Sequence, residues 1–227
     1  MEYKIIGEPM PVVECKLKSG EAMKTESGSM AWMSDNMKME TTSGGGLGKM
    51  FGRMLSGESL FQNIYTAQNG DGLIAFGSSF VGSIRAYQLA AGQSIICQKS
   101  AFLASETSVE LSTYFQKKIG VGILGGEGFI MQKVTGPGLV FIEIDGSAVE
   151  YDLANGQVML INPGSLAIAD ASVKIDIQDI KGVKNLLLGG EDWFQTKVTG
   201  PGKVVVQTMS IAGFASVLSP FFEKGNR

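Results

Sequence analysis

Apolar and polar residues alternate with a period of two along much of the chain. Val149, Tyr151 and Leu153 are separated by charged residues, and Val173, Ile175 and Ile177 repeat the pattern; this spacing predicts half-buried strands. Turn signals arrive about every 8–12 residues between such runs, which predicts a sandwich or a small β-helical barrel. Gly136-Pro137-Gly138 suits a type II turn, with Pro at the second position and Gly supplying a positive φ at the third. Asp145-Gly146 and Asn155-Gly156 are two-residue hairpin signals.

Two segments carry a helical period instead. Leu47, Met50, Phe51, Met54 and Leu55 fall at i, i+3, i+4, i+7 and i+8, with Lys49 and Arg53 on the other face. The tail places Phe214, Val217, Leu218, Phe221 and Phe222 at similar spacing, and Pro220 limits its length.

Internal repetition organises the strands. Lys133-Val134-Thr135-Gly136-Pro137-Gly138 recurs 64 residues on as Lys197-Val198-Thr199-Gly200-Pro201-Gly202. At the same offset Leu89-Ala90-Xaa-Gly92-Gln93 matches Leu153-Ala154-Xaa-Gly156-Gln157, and Leu124-Gly125-Gly126-Glu127 matches Leu188-Gly189-Gly190-Glu191. A weaker copy lies in front: Leu17 and Gly20 align with Leu89 and Gly92, Ser56-Gly57-Glu58 answers the two Gly-Gly-Glu triplets, and Thr66 answers Thr135 and Thr199. The expectation is one compact domain, residues 1–227, of three related units (about 1–81, 82–145 and 146–227). Three such units pack most simply about a pseudo-threefold axis, giving an all-β fold with one or two short helices.

Composition sharpens this picture. The 227 residues include 31 Gly against about 16 expected for an average chain, and the repeated turn positions account for much of the excess. There is no His, which excludes a Ser-His-Asp or Cys-His nucleophile pair and an imidazole metal site. A net charge of −3 and a pI near 5.1 argue against a general nucleic-acid binder. Cys15 and Cys97 form no disulfide framework and read as buried small hydrophobes. The first residues lack a signal-peptide pattern, and no run reaches the ~18 apolar residues of a spanning helix. The expected location is the cytoplasm.

The triple recurrence, the Gly-Glu turns after a Leu-rich segment, the Thr-Gly-Pro-Gly turns and the Leu47–Phe61 segment together carry a resemblance over residues 1–222. The chain resembles a bacterial member of the altered-inheritance-of-mitochondria 24 family. The resemblance implies a fold similar to the tryptophan RNA-binding attenuation protein, a short double-stranded β-helix present here three times. It brings no catalytic residues and no agreed activity. A eukaryotic relative is linked to mitochondrial inner-membrane organisation, which implies scaffolding.

Several motifs invite sharper chemistry. Gly120, Gly122 and Gly125 spell a dinucleotide-binding pattern, yet Gly126 and Gly128 follow at once and leave no room for the helix that would face a pyrophosphate. The Gly44–Lys49 run fails as a phosphate loop, because Ser43 and Met50 stand where Gly and Ser/Thr are required. No cofactor is expected. Glu58, Glu127 and Glu191 occupy equivalent places in the three units; converging on an axis they would hold a hard cation such as Ca²⁺, and otherwise they are turn-associated acids. Glu143/Asp145, Asp176/Asp179 and Glu191/Asp192 read as solvated strand faces. Trp32, Trp193 and Phe194 lie on strands where core packing is the commoner role, with base stacking the other reading.

These observations point to a noncatalytic scaffold or interaction module. Its docking element would be Leu47, Lys49, Met50, Phe51, Arg53 and Met54 in residues 44–61, facing a protein partner, a second copy or a membrane surface. The other reading is that this helix caps its own sheet with its Met/Phe stripe, which the equally apolar segments 119–124 and 183–188 favour. A small-ligand- or RNA-binding regulatory module of the attenuation-protein type is the alternative, with an enzyme using carboxylates third.

Overall fold

The computed structural model describes residues 1–26, 28–42, 62–117, 129–179 and 194–222. Within them the chain is all-β apart from one α-helix and two single-turn 3-10 segments. An opening strand, β1 (Glu2–Ile6), precedes β2 (Val12–Leu17), β3 (Ala22–Thr25), β4 (Met30–Met33), β5 (Met37–Thr42), β6 (Gln62–Ala67) and β7 (Gly72–Gly77). Next come β8 (Gly82–Leu89), β9 (Ser94–Gln98), β10 (Phe102–Glu106), β11 (Glu110–Lys117), β12 (Phe129–Thr135) and β13 (Gly138–Asp145). The last set is β14 (Ala148–Leu153), β15 (Val158–Ile161), β16 (Leu166–Asp170), β17 (Lys174–Asp179), β18 (Phe194–Thr199) and β19 (Gly202–Gln207), followed by α1 (Ile211–Phe222).

The strands form four antiparallel sheets. Their orders are β1-β2-β7-β4, β5-β6-β3-β10-β13-β8, β11-β12-β9-β16-β19-β14 and β15-β18-β17. One pairing order recurs through them: β2-β7-β4, β8-β13-β10 and β14-β19-β16 are one kind of half-sheet, and β3-β6-β5, β9-β12-β11 and β15-β18-β17 the other. The two kinds meet where β3 pairs with β10 and where β9 pairs with β16. A closed threefold packing would also join β4 to β15; among the described residues these two are edge strands of separate sheets.

Side chains from facing sheets fill three cores. The second sheet is covered on both faces: Leu139 and Phe141 of β13 enter the first core, while Val140, Ile142 and Ile144 enter the second. That double burial explains why β13 reads as a nearly continuous apolar run rather than an alternating one. The third core lies between the last two sheets and holds Phe129, Met131, Val198 and Phe194. Phe194 is therefore core, as its strand placement predicts.

Sequence motifs recur as hydrogen bonds. The side chains of Glu21, Gln93 and Gln157 accept from the backbone N–H groups of Lys18, Ala90 and Ala154 at 2.9, 3.0 and 2.9 Å, closing equivalent turns. A β-bulge falls at the same place in β4, β10 and β16. Just beyond it Ser34, Glu106 and Asp170 accept from the N–H groups of Leu73, Leu139 and Lys203 at 3.0, 2.8 and 2.8 Å.

Two turn expectations are corrected. Gly146 and Gly156 do adopt positive φ, +71° and +75°, but neither closes a hairpin. β13 pairs with β8 and β10, β14 with β19, and β15 with β18. A Gly turn bends the chain locally; here it sends each strand into the neighbouring sheet. The Gly136–Pro137 and Gly200–Pro201 bonds are cis, and Gly138 and Gly202 sit at φ +140° and +138°. These turns are thus not type II, whose glycine lies near about +80°.

Candidate functional site

Burial separates the candidate residues. Glu143, expected on a solvated face, is 6% exposed. Its carboxylate accepts from the Ser79 N–H at 2.7 Å and from the Ser78 and Ser79 hydroxyls, each at 3.0 Å. It is buried because β13 lies inside a covered sheet, where strand alternation no longer marks solvent. Burial pushes its pKa up, opposed by the Ser79 and Ser78 hydrogen bonds, and the nearby Asp145 charge raises it further. Asp145, also raised chiefly by burial, accepts from the Ile211 N–H at 3.3 Å. Its own N–H donates to Gln207 Oε1 at 3.0 Å, and Gln207 Nε2 donates to the Gly164 carbonyl at 2.8 Å. Together these groups tie the β7–β8 connection, β13 and the start of α1 into one joint.

That joint positions α1. Ser210 caps the helix, its hydroxyl accepting from the Gly213 N–H at 3.1 Å. Phe214 sets its ring 5.2 Å from that of Phe80. Beyond this contact the helix faces outward: Val217, Phe221 and Phe222 are 67%, 77% and 75% exposed. The twelve-residue helix contains no charged residue, and it continues past Pro220 to Phe222. Exposed apolar surface of this kind is common at contact sites of proteins.

The other candidates are distributed as follows. Leu47, Lys49, Met50, Phe51, Arg53 and Met54 lie outside the described residues, as do Glu58, Glu127, Glu191, Asp192 and Trp193. Asp176 pairs with Lys174 at 3.0 Å on the strand surface. Trp32, expected in the core, is 46% exposed on β4, where it bonds the Glu14 side chain. Cys15 and Cys97 are fully buried free thiols. No three Cys, Asp or Glu side chains among the described residues are grouped to hold a metal ion. No described helix is long and apolar enough to cross a membrane.

A family model described as "Mitochondrial biogenesis AIM24" matches residues 3–209. The chain belongs to this family. An uncharacterized protein of Streptococcus pyogenes serotype M6 is 29% identical to it over 219 residues, 93% of this chain and 86% of that protein. The crystal structure of S. pyogenes protein SPYM3_0169 superposes with a TM-score of 0.80 at 24% identity, covering 97% of this chain and 99% of the other; the likeness establishes a shared fold. The AIM24 match spans the strands and stops just before α1 begins at Ile211.

Proposed function

We propose that the protein is a noncatalytic scaffold that docks on a lipid surface through α1. The observation that carries this reading is the exposure of Val217, Phe221 and Phe222 on a charge-free helix anchored by Asp145, Ser210 and Phe80. An apolar helix face left exposed among the described residues gains by entering an acyl boundary, at roughly 25 cal/mol per Å² removed from water. Two neighbouring Phe rings at the helix end, Phe221 and Phe222, belong to that surface, and the joint beneath α1 anchors its first turn.

Flotation with vesicles of phosphatidylcholine and phosphatidylserine tests the reading. The wild type is expected to rise with the vesicles and Phe221→Asp/Phe222→Asp to stay at the bottom. Equal behaviour of the two proteins would overturn docking through α1. Phe51→Asp in the same assay examines the docking element expected from sequence in residues 44–61.

A further inference from the structure

The strand order contains two completed junctions and two unmatched edges. At the completed ones, Lys24 of β3 stands opposite Ser105 of β10, and Ile96 of β9 opposite Ala169 of β16. The counterpart of β10 and β16 in the first half-sheet is β4, identified by its position beside β7 and by the shared bulge. The counterpart of β3 and β9 in the last half-sheet is β15, identified by its position beside β18. β4 is thus a receiving strand with no donor, and β15 a donor with no receiver, among the described residues.

Their side chains carry the same mismatch. Ser105 and Ala169 are buried, whereas Met33, which holds their register position, is 37% exposed and its neighbour Trp32 46%. On the other edge, Ile96 and Lys24 are buried while Leu160, at the equivalent place, is 47% exposed. Tyr87 packs against the second core; Tyr151, its counterpart 64 residues later, is 44% exposed. Edge strands are commonly protected by proline or inward charge. β4 (Met-Ala-Trp-Met) and β15 (Val-Met-Leu-Ile) carry neither.

We propose that β15 of one copy pairs antiparallel with β4 of the next, so that a second copy of this chain supplies the missing junction. The register follows from the internal ones: Leu160 opposite Met33, Met159 opposite Ser34 and Ile161 opposite Trp32. The last half-sheet of one copy and the first of the next then become one continuous sheet of seven strands, three from β15-β18-β17 and four from β1-β2-β7-β4. The contact joins two different surfaces, so it is head-to-tail and yields a ring where the rotation closes. It uses strand addition and is independent of lipid docking by α1.

Light scattering on the eluting protein, for the wild type, Leu160→Asp and Met33→Asp, tests this. Both substitutions fall on exposed side chains, so each variant should keep the wild-type circular dichroism and a cooperative melt, with a midpoint lowered only by the loss of association. The wild type is expected as an oligomer and each variant as a monomer. Mixing the variants should give a dimer of one copy of each, because each retains the edge that the other has lost. A monomeric wild type, variants that stay oligomeric, or a mixture that stays monomeric would each overturn the proposal.

Discussion

Tyr3 of β1 sets its ring edge-on against Phe141 of β13, with centroids 5.1 Å apart and planes at 71°. β1 stands outside the recurring strand order, and this contact shows one thing it does: it covers a residue of the second sheet. Phe141 is fully buried and Tyr3 is half-exposed. Phe141→Ala should cost about 3–5 kcal/mol. Tyr3→Ala, which loses the edge contact and some burial, should cost about 0.5–1.5 kcal/mol. Urea unfolding of the two variants measures the difference.

Glu143 gives stability a pH dependence of definite sign. Its folded pKa is raised by burial, so between that value and the ordinary carboxylate range the native state binds more protons than the unfolded chain. Stability should therefore rise as pH falls through the raised value toward the unperturbed carboxylate value of about 4.3. Asp145 acts in the same direction. Glu14 and Glu150, held low by Lys4 and Lys203, act oppositely and only at still lower pH, and their exposure weakens them. Glu143→Gln should flatten the rise in urea midpoint, and Glu143→Ala should cost about 1–3 kcal/mol by stranding the Ser79 N–H.

Gly136 has no room for a side chain. A Cβ there would lie 2.5 Å from the Ala90 carbonyl oxygen and 2.7 Å from Leu89 Cβ. Gly136→Ala should destabilise the protein by about 1–3 kcal/mol, as overpacking does. Thermal melts of this variant should show a lower midpoint than the wild type.

The thiols should be inert in the folded state. Burial pushes both Cys15 and Cys97 up to about 12, which leaves almost no thiolate at neutral pH. A chromogenic disulfide reagent should label neither in buffer and both in denaturant.

Local signals in the sequence expose the turns and the strand class but not the strand partners. The Gln93 and Gln157 turns lie in visibly repeated sequence, and Phe214 and Val217 mark α1 by spacing. Asp145-Gly146 misleads because a turn motif fixes φ and ψ, while pairing depends on strands far away in the chain. Glu143 misleads because alternation tracks solvent only on a sheet with one wet face. Trp32 reads as core because it lies on a strand, where core packing is the commoner role; its exposure goes with β4 being an edge strand, paired only with β7 among the described residues, which no local pattern encodes. The apolar run of β15 was the available signal, and its offset from β9 locates the second unmatched edge.

Pairing of β4 with β15 between copies would place Met33 of one beside Leu160 of the next. Oxidation of a Met33→Cys/Leu160→Cys double variant tests it most directly, because antiparallel partners bring Cα atoms within the roughly 4.4–6.8 Å a disulfide needs. Cross-linked multimers on a non-reducing gel, with only a dimer from the mixed single variants, are the expected result. Monomer alone, with both new thiols still open to maleimide, would contradict it.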